Sequence, residues 1–285
     1  MTKASSLNAS SVWNTLRDEA ELCVKKEPLM AGLMRSHILD HKSFDEALAF
    51  VLATKLAYSY ADTGLGVDAL FSLFQKYCSI EPDIISAAKK DLLAVSSRDP
   101  SVTDVRTPFL YFKGYQALQA HRIAHSLWLK NKRDTARFLQ SQMANHFGVD
   151  IHPAARIGHG VMIDHANGVV IGETAVIEND VSLLHGVTLG GTGNEEGDRH
   201  PKVRKGVLIG AGATILGNIE IGEGSRIAAG SMVLTAVPPH VTVAGVPARI
   251  VGKAGCAKPG TVMDQIPKSL ITPDDKSAKN CDFEI

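Results

Sequence analysis

The chain holds 285 residues, enough for one large domain or two ordinary ones. Its 30 lysines and arginines balance 30 aspartates and glutamates, so charge gives no reason to expect a nucleic-acid or membrane partner. No apolar run approaches a membrane span, and the polar start "MTKASSLNASSVWNTLRDEA" lacks the apolar stretch of a signal peptide.

Four scattered cysteines (Cys23, Cys78, Cys256, Cys281) form neither a metal-ligand spacing nor a disulfide framework. A soluble, cytoplasmic protein of a reducing compartment is expected.

Residues 1–148 read as an all-α domain, although the first 40 residues resist assignment. In "SFDEALAFVLATKLAYSY" the apolar positions Phe44, Leu48, Val51, Leu52 and Leu56 fall at helical spacing, with Ser43 or Asp45 as cap. The stretch "SSRDPSVTD" marks a loop or a helix start at Pro100. After it, "TPFLYFKGYQALQAHRIAHSLWLKNK" predicts one helix and "RDTARFLQSQMANHFG" a second, closed by Gly148.

From residue 151 the period becomes six. Ile151, Ile157 and Ile163 form one series; Ile171, Ile177, Leu183 and Leu189 a second; Val203, Ile209, Ile215, Ile221, Ile227 and Val233 a third. Neither an amphipathic helix nor an alternating strand has this period. A hexapeptide solenoid does, with the branched residue inward and a small or apolar residue such as Ala155, Ala175, Ala213 or Ser225 four places on. The solenoid spans 149–253, and residues 254–285 read as a polar, mobile tail.

The three series are out of phase. Ile163 to Ile171 takes eight residues, and Leu189 to Val203 takes fourteen, so each junction holds two more residues than whole hexads allow. A solenoid tolerates surplus residues only at corners, where they bulge away from the stack. Both surpluses, "DHANGVV" and "GGTGNEEGDRHPK", are rich in ionisable residues, which marks them as candidate functional loops. If Ile171 stacks on Ile151, Asp150 lies one rung below the first bulge, about 4.8 Å away, and its carboxylate is expected to reach the imidazole of His165.

That pair is a base and its orienting partner. His159, His185 and His240 are expected to be solvated corner residues, and His146 and His152 structural or at a subunit contact. A metal held by His159, His165 and His185 is not expected, because these residues do not repeat at one-coil spacing.

The segments "DIHPAARIGHG", "DHANGVVIGETAVIENDVSLLHGVTLGGTG", "GDRHPK" and "AGVPARIVGK", behind a helical domain, resemble the serine O-acetyltransferases. The resemblance implies a left-handed parallel β-helix with about 18 residues per coil. It also implies acetyl transfer from acetyl-CoA, as co-substrate and without any further cofactor, to the hydroxyl of L-serine for cysteine biosynthesis.

His165 would be the general base and Asp150 its partner, while Asp99 and Asp164 take the serine ammonium. Arg199 and His200 take its carboxylate, with Glu173 nearby; as an alternative role, Asp99 would cap a helix start before Pro100. Gly191, Ala211 and Ala229 would line the acetyl-CoA arm, and the glycine-rich corner 190–193 would supply oxyanion donors.

The resemblance further implies trimers with sites between neighbouring solenoids, paired into hexamers, and inhibition by L-cysteine. It also implies an O-acetylserine sulfhydrylase partner that captures the C-terminal Ile285. The rival readings are a solenoid acetyltransferase for a sugar or other hydroxyl acceptor, and a noncatalytic scaffold for a synthase.

Overall fold

The computed structural model describes residues 8–58 and 64–265. Its helical half runs α1 (Val12–Lys26), α2 (Ala31–Met34), α3 (Phe44–Leu56), α4 (Val67–Ile80), α5 (Pro82–Arg98), α6 (Arg106–Tyr111), α7 (Lys113–Leu129) and α8 (Arg133–Phe147). A 3-10 turn (Pro28–Met30) precedes α2 and a π-helical turn (Arg35–Leu39) follows it.

The cap expected on α3 forms: Ser43 accepts from the Glu46 amide, and the Glu46 carboxylate accepts from Lys42 N–H at 2.7 Å, a reciprocal capping pair. Phe44, Ala47, Leu48, Val51, Leu52 and Leu56 are all buried, so α3 is the centre of this half.

The helix expected from Thr107 onward is two helices. Phe112 takes an extended ψ of 105° between α6 and α7. The side-chain amide of Gln116 then donates to the freed carbonyls of Phe109 and Leu110, at 3.2 and 2.7 Å. That substitution satisfies groups a continuous helix would have bonded itself. The break lets α7 run onto the solenoid.

Asp99 does not open a helix. It closes α5, and its carboxylate accepts from the backbone and hydroxyl of Ser101 at 2.8 and 2.7 Å.

Helix α8 ends on Gly148 in the left-handed conformation, and β1 begins at the next residue. Face A of the solenoid stacks β1 (Val149–Ile151), β4 (Val169–Ile171), β7 (Thr188–Gly190), β10 (Thr214–Leu216) and β13 (Met232–Val233). Face B stacks β2 (Arg156–Ile157), β5 (Val176–Ile177), β8 (Lys202–Val203) and β11 (Glu220–Ile221). Face C stacks β3 (Met162–Ile163), β6 (Ser182–Leu183), β9 (Leu208–Ile209), β12 (Arg226–Ile227) and β14 (Val241–Gly245), and ends in the antiparallel β15 (Ala248–Lys253).

Every other pairing within these faces is parallel, giving a three-sided solenoid about five coils deep. The hexad residues point inward as expected: Ile151, Ile171, Leu189, Ile215 and Val233 form one buried column. Register shows where the surplus goes. Val170 pairs with Thr188, an 18-residue coil, but Val149 pairs with Val169 and Thr188 with Thr214, so these coils hold 20 and 26.

The two halves share one apolar core and one polar clamp. Asp91 of α5, fully buried, accepts from Arg122 (Nη2, 2.6 Å), Gln119 and the Val161 amide, while Arg122 also donates to the carbonyls of Ile157 and Gly158. Every polar atom of the Asp91–Arg122 pair thereby has a partner, as a buried ion pair requires.

The tail expected to be mobile from residue 254 is docked over its first part. A one-turn helix α9 (Pro259–Val262) lies against β6 and β9. Gly260 accepts from Ser182 Oγ at 2.6 Å and donates to Gly206 O, and Lys258 bonds Asp180 at 3.2 Å. The remainder, with Cys281 and Ile285, lies outside the described residues. Among the described residues no helix is long and apolar enough to cross a membrane.

Candidate active site

The first bulge, Asp164–Gly168, is the corner where face C turns into face A. Its chain is tightly folded: Ala166 N–H donates to Asp164 O at 2.6 Å and Asn167 N–H to His165 O at 2.8 Å, each across one residue. His165 and Ala166 take φ of +55° and +62°, a left-handed region that costs free energy for residues with a Cβ. The neighbourhood holds this strained shape. Gly114 of α7 lies so close beneath it that a Cβ there would sit 2.0 Å from Ile163 O and 3.1 Å from the Ala166 methyl. Lys113 donates to the Asn167 side chain.

The bulge presents an acid and an imidazole. His165 is 74 % exposed while Asp164 is 18 % exposed, with Nε2 and Oδ2 3.8 Å apart. Burial pushes the Asp164 carboxyl up; His165 opposes the shift, and the charge of Asp99 adds to it. Asp99, at the end of α5, is thus an electrostatic neighbour of Asp164, which brings together two predicted residues 65 positions apart in sequence.

Two expectations fail here. Asp150 does not meet His165 within the chain. Gly168 stacks on Gly148 and Val170 on Asp150, so the bulge overlies the end of α8, and Gln140 holds the Asp150 carboxylate at 2.7 Å. The surplus residues precede Val169, which shifts Asp150 along face A from beneath His165. Conversely, His185 is a neighbour of His165, with ring centroids 6.0 Å apart and edge-to-face. The 20-residue coil containing the surplus puts them on one corner, a signal legible only after the surplus is counted into the coil length. Among the described residues no group of three His, Cys, Asp or Glu side chains has the arrangement of a metal site.

Above the bulge the same corner is a column of small residues. Gly186 N–H bonds Asn167 O, Gly212 N–H bonds His185 O, and Gly230 N–H bonds Ala211 O. Ala211 and Ala229 therefore sit on the corner that carries His165, one and two coils above His185.

The second surplus loop leaves the other edge of face A, where it turns into face B. Arg199 bonds Glu173 at 2.7 Å and, through its amide, Thr174 Oγ1 at 3.0 Å. The Arg199 guanidinium holds the Glu173 carboxyl below its usual range. His200 is 7 % exposed, and its Nδ1 accepts from the Thr174 amide at 3.2 Å, leaving the proton on Nε2. Burial, then the charges of Arg199 and Lys202, push its pKa down, so His200 is a neutral donor beside the charged Arg199. Gly172 makes room for this ring, since a Cβ there would lie 2.0 Å from it. Gly191 lies on this corner too, against Arg199.

The predicted site thus falls into two halves at opposite edges of face A. Asp99, Asp164, His165, Ala211 and Ala229 occupy one; Glu173, Gly191, Arg199 and His200 occupy the other. A three-residue strand separates them, roughly 10 Å of extended chain.

A three-sided parallel solenoid of six-residue repeats, with an acid–imidazole bulge beneath a track of small residues, defines a hexapeptide-repeat acyltransferase. Residues 200–235 match the family described as bacterial transferase hexapeptide (six repeats). Residues 12–120 match the family described as serine acetyltransferase, N-terminal.

A serine acetyltransferase of Salmonella typhimurium is 52 % identical over 89 % of this chain and 92 % of its own; that of Haemophilus influenzae is 51 % identical over 89 % and 94 %. A serine acetyltransferase in complex with cysteine superposes with a TM-score of 0.88 at 50 % identity, covering 91 % of this chain and all of the other. One from Brucella abortus in complex with coenzyme A superposes at 0.84 with 46 % identity, covering 90 % of this chain and all of the other. The chain belongs to the serine acetyltransferase family.

Proposed function

We propose that the protein transfers the acetyl group of acetyl-CoA to the hydroxyl of L-serine, giving O-acetyl-L-serine and CoA in cysteine biosynthesis. The observation that carries this is the strained corner, where an exposed imidazole stands beside a half-buried carboxylate under the small-residue column. A serine hydroxyl is a poor nucleophile at neutral pH, and imidazole has the pKa to take its proton. His165 removes that proton as the oxygen attacks the thioester carbon. Collapse of the tetrahedral species breaks the carbon–sulfur bond, and the imidazolium returns the proton to the departing CoA sulfur. No acyl-enzyme intervenes.

Asp164 and Asp99 face the substrate ammonium. Burial, with the charge of Asp99 adding to it, pushes the Asp164 carboxyl up, and a cation between the two carboxylates relieves their repulsion. Arg199 and neutral His200 face the substrate carboxylate, as a charged and an uncharged donor.

Because these halves lie at opposite edges of face A, the site is completed between the solenoids of neighbouring copies, and a closed ring of three satisfies every half. Asp150, on face A, orients the His165 ring in that assembled site, where the exposed ring turns toward face A. Acetyl-CoA lies along the seam, beside Ala211 and Ala229 of one copy and Gly191 of the next, with amides of the 190–193 corner as oxyanion donors.

L-cysteine, which keeps the ammonium and carboxylate of serine, occupies the same place as an inhibitor; the cysteine complex of a relative supports this. Trimers pair into hexamers through the helical half, and Ile285 carries the capture of O-acetylserine sulfhydrylase, both on the family resemblance.

Release of CoA thiol from acetyl-CoA, dependent on L-serine, tests the assignment. His165→Ala is expected to lower kcat by about 10²–10⁴-fold, the usual worth of a positioned general base. Near-full turnover in that variant overturns it.

A further inference from the structure

The third corner, where face B turns into face C, takes no part in the proposed acetyl transfer, yet it holds a sizeable cleft. About 680 Å³ of space lies between α5, α7 and the corner segments after β2, β5 and β8. Its wall carries Lys90 of α5, Arg156 of β2 and Lys205 of the third coil. None of these three side chains makes an ion pair within 4 Å among the described residues.

The other charges of the lining are mostly spent. Arg122 is neutralised by Asp91; Glu178 shares Arg204 with Glu220, at 2.8 Å on its own side; Asp83 stands at the start of α5. Three cations outside any ion pair therefore face Asp83 and a half-compensated Glu178 across a concave surface, which leaves its potential net positive.

A buried group adds a second demand. His121 of α7 lines the cleft at 1 % exposure, and its Nδ1 has no hydrogen-bond partner. The ring also bonds the backbone of Ala155, and burial pushes its pKa well down, so it is neutral with its proton on the nitrogen facing that carbonyl. Nδ1 is then a bare acceptor, which costs free energy unless a donor meets it. The lining also includes the apolar side chains of Ile84, Ile157 and Val176.

We infer that this cleft is a second ligand site, fitted to an organic phosphate of nucleotide size. Its phosphates are held by Lys90, Arg156 and Lys205, and its flat ring lies against the apolar wall. Spread over α5, face B and the third coil, the three cations suit a ligand with more than one anionic oxygen cluster better than a single inorganic ion.

Isothermal titration of the full chain with ADP, compared between the wild-type protein and Lys90→Ala/Lys205→Ala, tests the inference; CoA, which carries an ADP group of its own, is left out. The wild-type protein is expected to bind ADP at a site that the lysine variant lacks. The Lys90→Ala/Lys205→Ala variant, altered only at the cleft wall, should bind it at least about tenfold more weakly, the worth of one lost hydrogen bond to a charged group. Acetyl transfer in the lysine variant should be unchanged, which shows that the fold is intact. Absence of ADP binding, equal binding by the lysine variant, or inorganic phosphate binding as tightly as ADP would overturn it.

Discussion

If each site is shared between copies, two crippled proteins should repair one another. His165→Ala destroys the edge of face A that carries the base, and Arg199→Ala destroys the opposite edge. Alone, the first should fall by about 10²–10⁴-fold. The second, having lost a charged partner for the acceptor carboxylate, should fall by about tenfold or more at serine concentrations below KM.

In a one-to-one mixed ring, a site is intact when its base edge comes from an Arg199→Ala copy and its other edge from a His165→Ala copy. Each condition holds half the time, so roughly a quarter of all sites should be native in a head-to-tail ring. The two variants, carrying different affinity tags and co-expressed, can be purified as mixed oligomers through both tags in sequence. Thiol release at limiting L-serine should then approach a third of the wild-type rate per chain for selected trimers, and about a quarter for hexamers, well above the mean of the two separate variants. A mixed oligomer that merely reproduces that mean would show that the Arg199 edge and the His165 edge of one chain serve the same site, and the shared-site geometry would be wrong.

Two further predictions concern the fold that carries the site. Gly114→Ala forces a methyl into the Ile163 carbonyl, so α7 or the bulge must move. A loss of about 1–3 kcal/mol by denaturant unfolding, with reduced turnover, is expected from overpacking of this kind; unchanged stability would show that the contact is soft. Glu19 of α1 caps α6 by accepting from the Arg106 amide at 3.0 Å, and burial pushes its carboxyl up from 4.5 to about 6. The folded state then holds this proton to higher pH than the unfolded chain, so stability should decline as pH rises from 4.5 through about 6 and level off above. Glu19→Gln, which keeps the acceptor oxygen, should remove that decline and raise stability near pH 7 by an amount on the order of 1 kcal/mol, discounted for partial exposure. A Tm profile identical to wild type would contradict the burial of the charge.

The solenoid was legible because its signal is local and repeated. Each hexad restates the same inward position, so Ile151 through Val233 could be set in register from spacing alone. The bulges were legible as departures from that spacing. What the sequence hid depends on three-dimensional register or on a distant partner. His185 reaches His165 only because the 20-residue coil absorbs the surplus, and the same offset carries Asp150 away along face A. The split of α6 from α7 turns on Gln116 taking over two carbonyls, which no propensity encodes. The docking of residues near Gly260 rests on a serine 78 positions earlier. Asp99 was singled out by resemblance; its electrostatic link to Asp164 required α5 to end there.

The ends of the solenoid also set the direction in which the protein can grow. A stack of parallel strands leaves unpaired amides and carbonyls on its first and last rungs, a template for any other stack. Here α8 and α7 press on β1, and α7 and α5 on β3, covering the lower rung on two faces. At the top, face C stops in β15, whose chain runs the opposite way and carries Arg249 and Lys253. An incoming parallel strand meets the wrong polarity and two charges, so end-to-end fibre growth is blocked on that face. Self-association is thereby turned sideways, across the long edges of the prism.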